Sequence, residues 1–278
     1  MTMTDTSRRA LLAFAAATPA GALAARASAQ SHRERPVEGR RSAIVTGSSR
    51  GIGAATAKRL SRDGYAVTVN YLTNADLAAQ VVHDIQKAGG QAIACQADVA
   101  DPAAVRALFD ANDVAFGGVD VVVSNAGVMN TAAFAQFDDA AFDRMIATNI
   151  KGSFNVLREA ARRVREGGRI ISISSTSVTQ KRPTHGPYAA TKSAQEMFCG
   201  CLAKELAGRR ISVNAVAPGP TNTDLFRVPP ALREQAATMT PYGRIGEPDD
   251  VANAIAALCS NDGEWINGQL VFANGGFF

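Results

Sequence analysis

Short apolar runs rich in β-branched residues recur along this chain with amphipathic stretches between them, and that alternation constrains the fold more than any other feature. The runs are Ala43-Ile44-Val45-Thr46, Ala66 to Asn70, Ile93 to Ala97, Val119 to Ser124, Arg169 to Ser174 and Ile211 to Ala217. Between them lie stretches of helical spacing, such as Ile52 to Arg62 closed by Gly64, and a pattern running to Ala88 that stops at Gly89-Gly90. Strands joined by helices rather than tight turns run parallel, with right-handed crossovers that lay helices over both faces. Strands buried on both faces need side chains that are apolar throughout, as these are.

The expected fold is therefore α/β. It is a single doubly wound, Rossmann-type domain with a parallel sheet of about seven strands, its ligand lying beyond the strand C-termini. Of the 278 residues, 46% are hydrophobic and 19% charged, which is enough for a core and excludes a disordered chain. Four cysteines in this length exclude a disulfide-stapled mini-scaffold. The net charge of +4 misleads, because seven basic and three acidic residues fall in positions 1–41, leaving 22 of each sign in 42–278. A neutral body has no surplus cations to displace counterions from phosphates, so no nucleic-acid partner is expected.

The first 29 residues have the pattern of an address. Ser7-Arg8-Arg9-Ala10-Leu11-Leu12 pairs two arginines ahead of an uncharged Ala/Leu stretch from Leu11 to Ala25. That stretch is too short and too weakly apolar for a permanent anchor, so no stable membrane insertion is expected after its removal. Ala27-Ser28-Ala29 offers small residues for cleavage before Gln30, and the whole resembles a bacterial twin-arginine export signal. Residues 1–29 are read as a cleaved signal, 30–41 as a polar flexible linker and 42–278 as the domain. The protein is then expected in the periplasm. The alternative is a cytoplasmic protein with an N-terminal extension.

Thr46-Gly47-Ser48-Ser49-Arg50-Gly51-Ile52-Gly53 lies between the first strand and the first helix. Glycines there allow a tight turn and close approach to a pyrophosphate, which the N–H groups of the helix N-terminus would hold. The second strand ends Val69-Asn70-Tyr71, without the acid that would bind a free adenosine 2′-hydroxyl. Arg50, inside the turn, can pair with a 2′-phosphate instead. NADP is the expected cofactor, with NAD the alternative.

Tyr188-Ala189-Ala190-Thr191-Lys192 sets a phenol and an amine at i and i+4, on one face of a helix. An ammonium near a phenol favours the phenolate and is expected to lower the Tyr188 pKa into a useful range. Ahead of that helix, Ile171-Ser172-Ile173-Ser174-Ser175 is an apolar strand ending in hydroxyls that can bond a carbonyl oxygen.

Together these residues resemble the short-chain dehydrogenase/reductase family from Ser42 to the C-terminus. Thr46 to Gly53 is similar to the family's TGxxxGIG turn, with Gly47, Ser49, Arg50, Gly51, Ile52 and Gly53 expected at the cofactor beside Asn70 and Tyr71. Asp98-Val99 is similar to the pair that holds the adenine. Ser124-Asn125-Ala126-Gly127 is similar to its NNAG element, departing at Ser124, with Asn125, Ala126 and Gly127 expected near the cofactor. The resemblance implies nicotinamide contacts from Pro218, Gly219 and Thr223, and from Tyr188 and Lys192. Arg244 to Pro248, Asn267-Gly268-Gln269 and Gly275-Gly276 match its C-terminal signature.

The catalytic set implied is Asn149, Ser175, Tyr188 and Lys192. Ser175 is preferred to Ser174 because it lies thirteen residues before Tyr188. Tyr188 would exchange a proton with the substrate oxygen while Ser175 polarises the carbonyl. Lys192 would tune Tyr188 and bind the nicotinamide ribose, and Asn149 would hold a water that relays protons to Lys192. The implied activity is NADP-dependent oxidoreduction of a secondary alcohol or ketone. Reduction of a 3-oxoacyl thioester on an acyl carrier protein and non-catalytic dinucleotide sensing are the alternatives. A homotetramer is the implied assembly.

Met129, Val178, His185, Leu225 and Phe226 are candidates for the substrate pocket. Three histidines form no zinc constellation, so no metal is expected. Cys199 and Cys201 read as small core residues, and the arginines at 158, 162, 163 and 165 as a solvated or interfacial cluster. Pro220 to Thr240, with Pro229-Pro230, reads as a long loop and a candidate substrate lid.

Overall fold

Alternating strands and helices fill the described residues, 41–226 and 228–278, of a computed structural model. The export signal read at 1–29 and the linker, Arg41 excepted, lie outside the described residues. The chain divides into residues 1–36 and 37–278, and every element below belongs to the second part. The first half alternates strictly: β1 (Ser42–Val45), α1 (Gly51–Arg62), β2 (Ala66–Tyr71), α2 (Ala75–Lys87), β3 (Ala92–Gln96), α3 (Pro102–Phe116) and β4 (Val119–Ser124). Then come α4 (Asp139–Met145), a π-helical turn (Ile146–Gly152), α5 (Ser153–Arg163), β5 (Val164–Ile173), α6 (Ser177–Gln180), α7 (Gly186–Glu205) and β6 (Ser212–Pro218). The last elements are α8 (Pro230–Thr238), α9 (Pro248–Cys259) and β7 (Leu270–Ala273).

The seven strands pair in parallel in the order β3-β2-β1-β4-β5-β6-β7. The connections run outward in opposite directions from β1 and β4, so the loops beyond these two strands part and leave a crevice. Strand alternation divides the core. Ala43 and Val45 join Val67, Val69, Leu60 and Ile255 on one face, whereas Ile44 joins Val122, Ile170, Leu108 and Phe109 on the other. Each such side chain contributes about 1.5–3 kcal/mol by leaving water.

Helix boundaries follow local chemistry. Asp101 caps α3 by accepting from Ala103 N at 2.8 Å, Pro102 opens it, and Gly117, left-handed at φ 77°, closes it. In α9, Glu247 and Asp250 form a reciprocal capping box.

Several expectations need correction. The long loop expected over Pro220 to Thr240 contains α8, because Pro230 starts a helix where a missing N–H costs nothing. Arg41 is not free linker: its guanidinium stacks 4.5 Å from the Tyr65 ring centroid and its carbonyl accepts from Ala66 N. Cys199 is buried but Cys201 is exposed on α7. In the arginine cluster, Arg163 pairs with Asp110 and Asp113, and Arg165 with Asp120.

Candidate active site

Beyond β1 the chain turns through Thr46 to Arg50 into α1. Gly47 and Gly51 occupy the left-handed region at φ 60° and 56°, which glycine reaches without strain. Gly53 is needed for space, since a Cβ there would stand 2.6 Å from both Asn125 Nδ2 and Gly47 O. The turn is tied to the segment after β4. Thr46 Oγ1 accepts from Asn125 N at 2.9 Å and Ala126 N at 3.0 Å, while Asn125 Nδ2 donates to the carbonyls of Thr46 (2.8 Å) and Gly47 (3.1 Å).

Asn70, expected at the cofactor, has a structural task. It is buried, its Oδ1 accepts from Gly47 N at 3.1 Å and its Nδ2 donates to Cys95 O and Ala97 O. It supports the turn from below with no side-chain polar atom left over. Tyr71 and Ser49 are half-buried. Arg50 is exposed at the head of α1, and its guanidinium pairs with Asp224 at 3.0 Å. That helix has no side-chain cap and no acid in its first turn among the described residues, so its N-terminal field is not offset from within. Asp98 is exposed and accepts from Ala100 N at 2.9 Å. The Val99 side chain, by contrast, is buried in the core, close beside Gly152.

A cleft of about 140 Å3 opens past the C-terminal ends of β5 and β6. Ser175, Tyr188 and Lys192 line it together, with Ile52, Asn125 and Gly127 on the side of the glycine turn. Tyr188 and Lys192 are both buried, one turn apart on α7, with Lys192 Nζ 5.9 Å from the ring centroid. Lys192 Nζ donates to Ile173 O at 2.6 Å and to Gln195 Oε1 at 3.3 Å. Gly127 lies close beside this amine, where a Cβ would make ordinary contact at 3.4 Å with both Lys192 Nζ and Asn149 Oδ1.

The two serines at the end of β5 face different partners. Ser175 Oγ donates to Ser177 Oγ at 3.1 Å and lines the cleft with the Tyr188 phenol, whereas Ser174 Oγ donates to Glu196 Oε1. Burial pushes the Tyr188 phenol up to about 12, with the Ser175 hydroxyl pulling the other way, and burial brings the Lys192 ammonium down to about 8. The expected lowering of Tyr188 by Lys192 is therefore not what this arrangement gives. Burial of the phenol sets the direction, and the hydrogen bonds of Lys192 go to Ile173 and Gln195.

Asn149 sits in the π-helical turn, a distortion common at functional sites. Its side chain accepts from Val128 N (2.9 Å) and donates to Val128 O (2.9 Å) and Thr191 Oγ1 (3.0 Å), joining the segment after β4 to α7. The backbone carbonyl of Asn149, the residue expected to hold a relay water, accepts from Gln195 Nε2 at 2.6 Å.

Of the substrate candidates, Met129, His185, Leu225 and Phe226 line the cleft, as do Pro218, Gly219 and Thr223. Val178 does not. Ser177 and Gln180, three apart on α6, line the cleft, and Val178 between them is half-buried outside its lining. Sequence reasoning missed Arg182, Phe277 and Gln195. Arg182 and Phe277 reach the cleft through loop geometry, but Gln195 had a legible signal as a polar residue at i+3 from Lys192 on the same helix face.

Comparison with known proteins matches this arrangement to a known group. A family profile described as Enoyl-(Acyl carrier protein) reductase matches residues 47–278. A short-chain type dehydrogenase/reductase of Picea abies is 44% identical over 250 residues, covering 86% of this chain and 92% of that protein. The crystal structure of a short-chain dehydrogenase from Burkholderia cenocepacia J2315 in complex with NADP is 38% identical, superposes with a TM-score of 0.82, and covers 85% of this chain and 97% of its own. The angucycline C-6 ketoreductase LanV with bound NADP is 37% identical at a TM-score of 0.81, covering 85% of this chain and 95% of its own. With a profile spanning nearly all the described residues and a relative at this identity, the chain belongs to the short-chain dehydrogenase/reductase family.

Proposed function

We propose that this protein is an NADP-dependent oxidoreductase that interconverts a ketone and a secondary alcohol, with Tyr188 as the proton-exchanging group. The observation that carries the reading is the convergence of Ser175, Tyr188 and Lys192 on one cleft beside a glycine turn. The turn fits a dinucleotide: Gly47 and Gly51 take left-handed backbone that folds it tightly ahead of α1, and the uncapped N-terminus of α1 suits a pyrophosphate. Gly47, Ser49, Gly51, Ile52 and Gly53 would hold the phosphates, and Asn125, Ala126, Gly127, Pro218, Gly219 and Thr223 the nicotinamide half. Asp98 and the Val99 backbone would flank the adenine. Arg50 would take the 2′-phosphate, which must then compete with Asp224 for the guanidinium.

Bound NADPH supplies a hydride to the carbonyl carbon. Tyr188, held protonated by burial, gives its proton to the carbonyl oxygen as negative charge builds there. Ser175, in the same cleft, orients that oxygen and shares its charge. Lys192, charged below about pH 8, stabilises the tyrosinate left behind. Met129, Leu225 and Phe226 give the cleft an apolar wall that favours a hydrophobic ketone and excludes water.

A 3-oxoacyl thioester on an acyl carrier, the second reading, is not favoured, since the similar solved structures with bound NADP include a ketoreductase. The test is NADPH oxidation, followed by absorbance, across aromatic ketones, aliphatic ketones and a 3-oxoacyl thioester, for wild type and Tyr188→Phe. The expected result is turnover of ketones, with a loss of about 10²–10⁴-fold in the variant and retained NADPH binding. Equal inertness of both proteins with NADPH bound would favour a sensor. Preference for the thioester would favour the second reading.

Residues 1–29 are proposed to direct twin-arginine export to the periplasm, on the evidence of Arg8-Arg9, the uncharged stretch and Ala27-Ser28-Ala29. An exported enzyme must carry its NADP tightly held, since the cofactor pool is cytoplasmic. Fractionation that finds only full-length protein in the cytoplasm would refute export. A homotetramer is proposed from the exposed Phe154 on α5, Met197 on α7 and Phe272 on β7, and sedimentation showing a monomer would refute it.

A further inference from the structure

Gln195 lies one turn past Lys192 on α7 and is fully buried. An uncharged amide in that position is costly unless all of its hydrogen-bonding capacity is used. Here both ends are engaged. Gln195 Oε1 accepts from Lys192 Nζ at 3.3 Å and from Ser172 Oγ at 3.4 Å, and Nε2 donates to the Asn149 carbonyl at 2.6 Å. The neighbours fix which end is which. An ammonium only donates and a carbonyl only accepts, so exchanging oxygen and nitrogen would break both bonds. The side chain thus forms a direct bridge from the amine on α7 to the peptide of the π-helical turn.

We propose that Gln195 is a positioning residue that clamps Lys192 to the Asn149 peptide and gives its ammonium an acceptor within the desolvated cleft. The proposal rests on the reading of Lys192 as the partner of Tyr188. The family resemblance implies an exchangeable water on this link, whereas a carboxamide fixes the distance without passing a proton along. Lys192 Nζ is held from two directions, by Ile173 O at the end of β5 and by Gln195 Oε1, which leaves its third proton for the cleft it lines. Other titratable or charged groups near this cleft are Tyr188, His185 and Arg182, with Glu196 turned to Ser174. None of them bonds Gln195.

Two measurements on the full chain test this: NMR titration of isotopically labelled Lys192 Nζ, and the pH profile of ketone reduction. Gln195→Leu removes a hydrogen bond to the charged amine and should shift its titration down by about one to two pH units. Gln195→Glu, nearly isosteric and negatively charged, should shift it up. The basic limb of kcat/KM should move with the titration in each variant. Should Gln195→Leu fail to fold, Gln195→Glu still carries the sign test. An unmoved titration in folded Gln195→Glu, or in both variants, would overturn the proposal and leave Gln195 as core filling. A shifted titration in a wild-type protein that reduces no ketone would leave the clamp standing and refute the functional reading.

Discussion

Thr46→Val should separate the hydroxyl of this residue from its shape. The fully buried Thr46 Oγ1 is the acceptor for Asn125 N and Ala126 N, at 2.9 and 3.0 Å, and so joins the turn after β1 to the turn after β4. Valine keeps the volume but leaves Ala126 N without its acceptor, while Asn125 N retains Val123 O at 3.1 Å. An unpaired donor costs about 1–3 kcal/mol, and because Ala126 is only half-buried the lower end applies, giving a loss of about 1–2 kcal/mol. Thr46→Ser keeps the oxygen and deletes one methyl, a loss of about 0.8 kcal/mol. Urea unfolding at fixed protein concentration measures both, since assembly contributes to apparent stability. NADPH affinity should fall with Thr46→Val and hold with Thr46→Ser. Equal stability of the two variants would refute the claim that this hydroxyl locks the turns together.

The buried amine makes stability depend on pH. With Lys192 at about 8 folded against 10.5 unfolded, the unfolded state binds more protons between those values, so the Lys192 contribution to stability rises with pH by about 3 kcal/mol across that window. Cys199 and Cys259, which burial pushes up to about 12, act with the opposite sign, so the difference between wild type and Lys192→Met isolates the effect, and parallel pH curves would contradict it. Arg50→Ala should lower the preference for NADPH over NADH about ten- to a hundredfold, and an unchanged KM ratio would remove Arg50 from 2′-phosphate recognition. Gly53→Ala should cost about 1–3 kcal/mol through its 2.6 Å contacts, while Gly200→Ala, with nothing within 4 Å on α7, should stabilise by about 0.4–1 kcal/mol; thermal melts rank the two.

Most of the fold was legible because strand burial and helix amphipathicity act locally. The run Val119 to Ser124 is β4 to the residue, and Gly64 and Gly117 fall where helices end. The failures have physical causes. Pro229-Pro230 reads as a break, yet the second proline is also the preferred first residue of a helix. The resemblance put Asn70 at the cofactor, and what it did not report is that the amide pairs backbone groups around the glycine turn. The Tyr188 and Lys192 pairing was visible from spacing, whereas the balance between them depends on burial, which no spacing reports. Val178 does not line the cleft, because α6 is a single turn whose rotation the sequence does not set.

A crystal structure with NADP and a ketone bound tests the account most directly. The predicted complex has the nicotinamide in the cleft with the substrate oxygen within hydrogen-bond reach of both Tyr188 Oη and Ser175 Oγ, and Arg50 moved from Asp224 to the 2′-phosphate. A nicotinamide outside the cleft, or a substrate oxygen away from the Tyr188 hydroxyl, would contradict it.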